Sequence, residues 1–65
     1  MTNQDAQANT NKYKATDAEY MKALYASPRS EQECLRLAKE LVQISRGTAL
    51  EARDNYRVAR HQRKV

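Results

Sequence analysis

One proline and one glycine are the strongest helix-breaking residues in this chain of 65 positions, and they limit what it can fold into. Pro28 disfavours the helical conformation at Ser27, so a first helix should end near Ala26. Gly47 costs a helix interior about 1 kcal/mol relative to alanine. No stretch alternates apolar and polar residues long enough to indicate a β-strand. The sequence therefore predicts an all-α chain with one domain at most.

The first helix is predicted over residues 16–26, after a disordered tail over residues 1–15. The tail, MTNQDAQANTNKYKA, is rich in Asn and Gln and has little apolar surface to bury. Thr16-Asp17-Ala18-Glu19 matches a capping box, in which a Thr hydroxyl accepts from the amide three residues on. The predicted organisation is a tail over residues 1–15 and a single helical domain over 16–65.

A second helix is predicted to begin near residue 30. Ser27 with Pro28 at the first helical position is one possible start. Ser30 with Glu33 offers a capping box and is the other. The sequence does not choose between them.

The second helix is predicted to run to residue 62, continuous or bent at Gly47. Small and apolar residues keep one helical phase from Cys34 to Ala59, and a true break would normally reset that phase. A break stays open as the alternative, because Thr48-Ala49-Leu50-Glu51 could cap a third helix. The favoured architecture is a helical hairpin with a short first helix and a second helix about 50 Å long.

Positive charge is concentrated in the last twenty residues. Residues 46–65 hold six Lys or Arg and two acidic residues, so their net charge of +4 equals that of the whole chain. On a continuous helix advancing about 100° per residue, five of these cations fall within about 60° of one another. They are Arg46, Arg53, Arg57, Arg60 and Lys64, with Arg63 and Tyr56 beside them. These residues are the predicted binding site for a partner.

Three interpretations of this basic ridge stay open. It is typical of a solvated helix face whose cations complement the negative end of the helix dipole. It would also fit an acidic protein surface, to which Tyr56 would add apolar contact area. A phosphate backbone is the third candidate, although one aromatic residue is too little for base stacking and no DNA- or RNA-binding signature accompanies it.

The first half of the long helix has apolar residues on two adjacent sides. Leu37, Leu41 and Ile44 lie on one side, and Leu35 and Val42 lie on the other. One short helix cannot cover both sides, so one of them is predicted to associate with a larger protein or with a second copy of the chain. The alternative is a monomer in which both sides close around the first helix.

Several functions are not expected. The single cysteine, Cys34, and the single histidine, His61, exclude an internal disulfide and a Cys/His zinc cluster. In a continuous helix the two lie about 40 Å apart, too far for a catalytic dyad. The few large apolar residues leave little to wall a small-molecule pocket, so no enzyme activity, cofactor or small-molecule substrate is expected. No apolar run approaches the roughly 20 residues that span a bilayer.

The sequence thus predicts a small, non-enzymatic accessory or regulatory protein that binds a larger protein or itself through helical surfaces. The alternative function is binding of a nucleic-acid backbone by the basic C-terminal helix, on DNA for example. The lone thiol and the absence of a secretory signal favour the cytoplasm.

Overall fold

The computed structural model describes the backbone of residues 3–63 and the side chains of residues 9–63. The chain forms three α-helices: α1 (Asn3–Leu24), α2 (Glu31–Ser45) and α3 (Glu51–Gln62). No strand occurs within residues 3–63. The all-α prediction is confirmed, but the helices number three, and the predicted two-helix hairpin is wrong.

Helix α1 begins at Asn3, well before the predicted start at residue 16. Residues 3–15, which the composition predicted to be a disordered tail, form its first turns, and residues 1–2 lie outside the described part. Thr16 is buried inside the helix and does not act as a cap. Tyr13 packs against the hydrophobic core and connects this segment to the bundle.

Helix α2 starts at the second of the two predicted caps. The Ser30 hydroxyl accepts a hydrogen bond from the Glu33 amide at 3.3 Å. The acidic side chains of Glu31 and Glu33 occupy the first turn, where their negative charges interact favourably with the positive end of the helix dipole. The apolar phase predicted for this helix is correct: Cys34, Leu37, Ala38 and Leu41 are all buried.

The helix is interrupted at Gly47, so the favoured continuous helix over residues 30–62 is wrong. Gly47 has φ +82°, in the left-handed region where any side chain would introduce backbone strain. The amide and the hydroxyl of Thr48 both donate to the Ser45 carbonyl, satisfying a backbone acceptor at the end of α2. A turn over residues 46–50 then leads into α3 at Glu51. The described part of the molecule is 40 Å in its longest dimension, shorter than the predicted helix alone.

Helix α2 lies between the other two helices and packs against both. Contacts at both ends show that α1 and α3 run parallel, because Tyr13 meets Asp54 and Tyr20 meets His61 seven residues further along each helix. No Cα atom of α1 lies within 8 Å of a Cα atom of α3 within the described residues. Long side chains therefore make the connection between α1 and α3.

Candidate binding face on the third helix

Helix α3 has an inner and an outer face of different chemistry. Asp54 and His61 are fully buried, and Val58 packs against the hydrophobic core. Helical spacing places a separate set of residues on the opposite side. This outer face consists of Ala52, Tyr56, Ala59 and Arg63, all exposed, with Arg53 and Arg60 along one edge.

The inner face is fixed at its N-terminal end by a buried carboxylate. The Tyr13 hydroxyl donates to both carboxylate oxygens of Asp54, at 2.9 and 3.1 Å. Arg53 donates from Nη2 to the same hydroxyl at 2.6 Å. Burial, together with the neighbouring Asp54 charge, raises the pKa of the Tyr13 phenol, which therefore stays protonated as a donor.

At the C-terminal end of α3, His61 joins all three helices. Its Nε2 lies 2.6 Å from the Tyr20 hydroxyl, and its Nδ1 lies 2.7 Å from a carboxylate oxygen of Glu31. The tautomer with its proton on Nδ1 satisfies both contacts, because Nδ1–H then donates to Glu31 and Nε2 accepts from the Tyr20 hydroxyl. Burial raises the pKa of the Tyr20 phenol, so this donor too stays protonated.

These Glu, His and Tyr side chains have the order of groups found in acid–base relays, but the His and Tyr members are buried. The side chain of His61 is 1% exposed and Tyr20 is 2% exposed. Neither residue lines either of the two surface depressions described below. A general base must lie within hydrogen-bond reach of a substrate proton. The two contacts of His61 fix the rotation of α3 against the other helices.

Arg57 is the third connection and lies between the other two. Its Nη1 donates to Asp17 of α1 at 2.7 Å and lies 3.5 Å from a carboxylate oxygen of Asp54. The guanidinium carbon is 4.8 Å from the centroid of the Tyr20 ring, within cation–π range. With its side chain 13% exposed, Arg57 belongs to the bundle interior.

The outer face carries a shallow depression of about 210 Å³ lined by Tyr56, Ala59, Arg60 and Arg63. The Tyr56 side chain is largely in solvent, at 69% exposure. Within residues 9–63, no ion pair or side-chain hydrogen bond engages the guanidinium of Arg60 or Arg63. The two acidic residues of α3 point elsewhere: Asp54 is buried, and Glu51 accepts from the Gly47 amide. The face therefore presents uncompensated positive charge beside an aromatic ring.

A second depression, between α1 and α2, differs in its electrostatics. Its lining includes Glu19, Lys22, Glu33 and Arg36, so both signs of charge are present. Arg36 forms ion pairs with Glu33 and with Glu40. Its hydrogen bonds to Glu33 lower the pKa of that carboxyl. Local charges already compensate one another there, which makes it the weaker candidate for binding a charged partner.

The structure divides the predicted basic ridge. Arg46 lies in the turn before α3, Arg53 is bonded to Tyr13, and Arg57 points inward. Arg60 and Arg63 stay together on the outer face with Tyr56, and Lys64 lies outside the described residues. The continuous ridge is wrong because the break at Gly47 resets the helical phase between Arg46 and the rest.

The predicted association seam is buried in part. Leu37 and Leu41 are fully buried, and Leu35, Val42 and Ile44 are half-buried. Helix α3 packs on α2, where the prediction had one continuous helix. Association of a partner through the half-buried residues stays a prediction.

Cys34 and His61 are also placed differently from the prediction. Both lie beside Tyr20, since Cys34 belongs to its core cluster and His61 bonds its hydroxyl. Burial, with the nearby Glu31 charge, raises the pKa of the Cys34 thiol, which is consistent with a packing role. Within the described residues, no group of three or more His, Cys, Asp or Glu side chains is placed to hold a metal ion.

Sequence reasoning missed the contacts that orient α3. Tyr13 stood in the predicted tail, Asp17 in a predicted capping box and Arg57 in the predicted basic ridge, and Asp54 was not singled out. A usable signal was present, because the Tyr13–Tyr20 spacing of seven residues equals the Asp54–His61 spacing. Seven residues are two helical turns, so each pair lies on one side of its helix.

Comparisons with protein-family models, with curated proteins and with solved structures find no match for the chain. None of the helices within the described residues has both the length and the apolar character needed to cross a membrane.

Proposed function

We propose that this chain is a small non-enzymatic binding protein that docks the outer face of α3 onto an acidic surface of a protein partner. The observation that carries the proposal is the exposure of Tyr56 beside Arg60 and Arg63, with no acidic side chain among the residues lining that depression. Tyr and Arg are the residue types enriched at the centres of protein–protein interfaces.

The inner face supports this proposal by keeping the outer face in one orientation. Asp54, Arg57 and His61 each bond to a side chain of another helix, over about two turns. A rotation of α3 would break all three connections. The outer face is thus preorganised, and preorganisation reduces the entropy lost on binding.

The charge of the outer face argues against pairing with an identical face. Two copies meeting through Arg60 and Arg63 would bring like charges together, which opposes association. The division of the basic ridge also weakens the nucleic-acid alternative. Backbone-reading proteins commonly make about 6–10 phosphate contacts, and this face offers Arg60 and Arg63, with Arg53 already bonded to Tyr13.

Binding to a 30-residue polyglutamate, measured by fluorescence anisotropy at several salt concentrations, tests the proposal. We expect Arg60→Glu with Arg63→Glu to weaken binding at least tenfold. Lys12→Glu with Lys39→Glu changes the net charge equally at exposed positions on α1 and α2 and should change affinity less than threefold. Equal losses in both double variants would show non-specific attraction and overturn the proposal.

A duplex DNA of matched charge decides between the two partner classes. We expect the duplex to bind no more tightly than polyglutamate at the same salt concentration. Tighter duplex binding that Arg60→Glu with Arg63→Glu removes would replace the proposed function with nucleic-acid binding.

A further inference from the structure

The four residues that line the outer depression have the spacing of a coiled-coil hole. Tyr56, Ala59, Arg60 and Arg63 stand at positions i, i+3, i+4 and i+7. In helix–helix packing, one side chain of a facing helix inserts into a hole formed by four residues of its neighbour. The depression has a volume of about 210 Å³.

We infer that this hole receives one apolar side chain of an acidic helix belonging to the partner, whose carboxylates bind the arginines around it. The inference rests on the proposed function and names the chemistry of its partner. Ala59 brings only a methyl group to the lining, Tyr56 brings an aromatic ring, and each of the two arginines has an aliphatic stem that ends in a cationic head. This chemistry fits an apolar centre with a cationic rim.

The outer face continues this geometry beyond a single hole. Ala52, Tyr56, Ala59 and Arg63 follow the alternating four- and three-residue spacing of a helix–helix seam. Arg53 and Arg60 occupy one flank of that seam, seven residues apart, where coiled coils place charges that select their partners. Two small residues on the seam let a second helix approach closely.

Charge and shape together select the occupant. A purely apolar helix would leave Arg60 and Arg63 desolvated without anions, which is costly. A purely acidic segment would leave the apolar centre unfilled. The two arginines are one turn apart, about 5–6 Å between Cβ atoms. Long Glu side chains placed one turn before and one turn after an apolar residue can reach the two arginines while that residue enters the hole.

The probe is a 20-residue alanine-rich helical peptide with one central Leu and a Glu one turn before and after it. Titration into the ¹⁵N-labelled full chain should shift the amide signals of residues 52–63. We expect a Leu→Ser peptide to bind at least about tenfold more weakly, because burying a leucine side chain supplies that much affinity. Replacing both Glu by Gln should weaken binding by a similar factor.

Ala59→Lys separates insertion from simple charge attraction. The variant fills the hole and adds a positive charge, so hole filling predicts weaker peptide binding and pure electrostatics predicts tighter binding. We expect at least a fivefold loss. Ala18→Lys adds the same charge at an exposed position of α1 and should leave affinity within twofold.

Two results would overturn the inference. Equal affinity for the Leu and Ser peptides would exclude insertion, as would tighter binding by Ala59→Lys. Either result would leave the proposed function standing if Arg60→Glu with Arg63→Glu still abolished polyglutamate binding. The absence of shifts in α3 together with the absence of polyglutamate binding would reject both.

Discussion

Tyr20 and His61 lie 41 positions apart in the chain, yet the Tyr20 hydroxyl and His61 Nε2 are 2.6 Å apart in the buried part of the bundle. The two rings meet edge to face with centroids 5.6 Å apart. Tyr13 and Asp54 repeat the same separation of 41 positions one heptad earlier. The parallel pairing of α1 with α3 is thus a register fixed by hydrogen bonds, in a bundle where α2 supplies most of the apolar contact.

Tyr20→Phe tests the contribution of the hydroxyl to stability. The variant keeps the ring in the core but leaves His61 Nε2 buried without its partner. We expect the free energy of unfolding in urea to fall by about 1–3 kcal/mol. Tyr25→Phe is the matched control, because Tyr25 is 81% exposed and should be neutral. Equal stability of the two variants would mean that the contact contributes nothing.

Asp54→Ala should destabilise the chain by about 3 kcal/mol, because it leaves the Arg57 guanidinium partly buried without one of its two carboxylates. A chain of this length has only about 3–10 kcal/mol of stability, so Asp54→Asn is the milder companion variant. Asn55→Ala, at the next and exposed position, is the control for helix propensity. Thermal unfolding followed by circular dichroism would rank the three variants, and a loss for Asn55→Ala as large as for Asp54→Asn would contradict the prediction.

Gly47→Ala should cost about 1–2 kcal/mol through backbone strain alone. A Cβ atom at this position would meet nothing within 4 Å, so steric contact adds no cost, while φ +82° is unfavourable for alanine. Gly47→Asn should cost less, because asparagine tolerates the left-handed conformation better. Urea unfolding of both variants would check the order, and the reverse order would refute the backbone explanation.

Alkaline pH should weaken the fold. The folded-state pKa values of Tyr13 and Tyr20 lie above the ordinary 10.0, mainly through burial. The fold therefore favours the protonated phenols. Their contribution to stability is complete below about pH 10 and is lost as pH rises through the raised values. The pKa of the Cys34 thiol is raised above its ordinary 9.0, so ionisation of this thiol also weakens the fold, beginning at a lower pH.

Urea midpoints measured from pH 8 to pH 11 would show this decline. Tyr13→Phe with Tyr20→Phe should flatten the profile of urea midpoint against pH above pH 10, and Cys34→Ala should flatten it near pH 9. A wild-type profile that stays level to pH 11 would exclude the proposed linkage.

The apolar pattern predicted α2 well because its burial follows simple periodicity. Cys34, Leu37, Ala38 and Leu41 lie on one side of one helix and form most of the core. Two possible starts were visible in the sequence, and the Ser30–Glu33 capping box is the one used. These features depend on residues close together in the chain, which a single sequence displays directly.

For the residues after Gly47, the apolar periodicity predicted the wrong buried side. Ala52, Tyr56 and Ala59 continue the α2 phase in the sequence, but they are exposed. The buried side of α3 is the one bearing Asp54, Val58 and His61. A helix side that bears polar residues is predicted to face solvent unless the partners of those residues are known. Here the partners lie on α1 and at the start of α2. Tyr56, Arg60 and Arg63 were predicted as contacts, but their separation from Arg46 required the three-dimensional fold.

The pairing of α1 with α3 also restricts how this sequence can diverge. A substitution at Tyr20 or His61 alone leaves a buried polar group without a partner, whereas replacing both removes the two ends of that hydrogen bond together. Tyr13 and Asp54 are linked in the same way, with Asp54 restricted further by its ion pair with Arg57. Descendants of this chain are therefore expected to vary at these positions as correlated pairs separated by 41 residues, while the exposed positions between them drift independently.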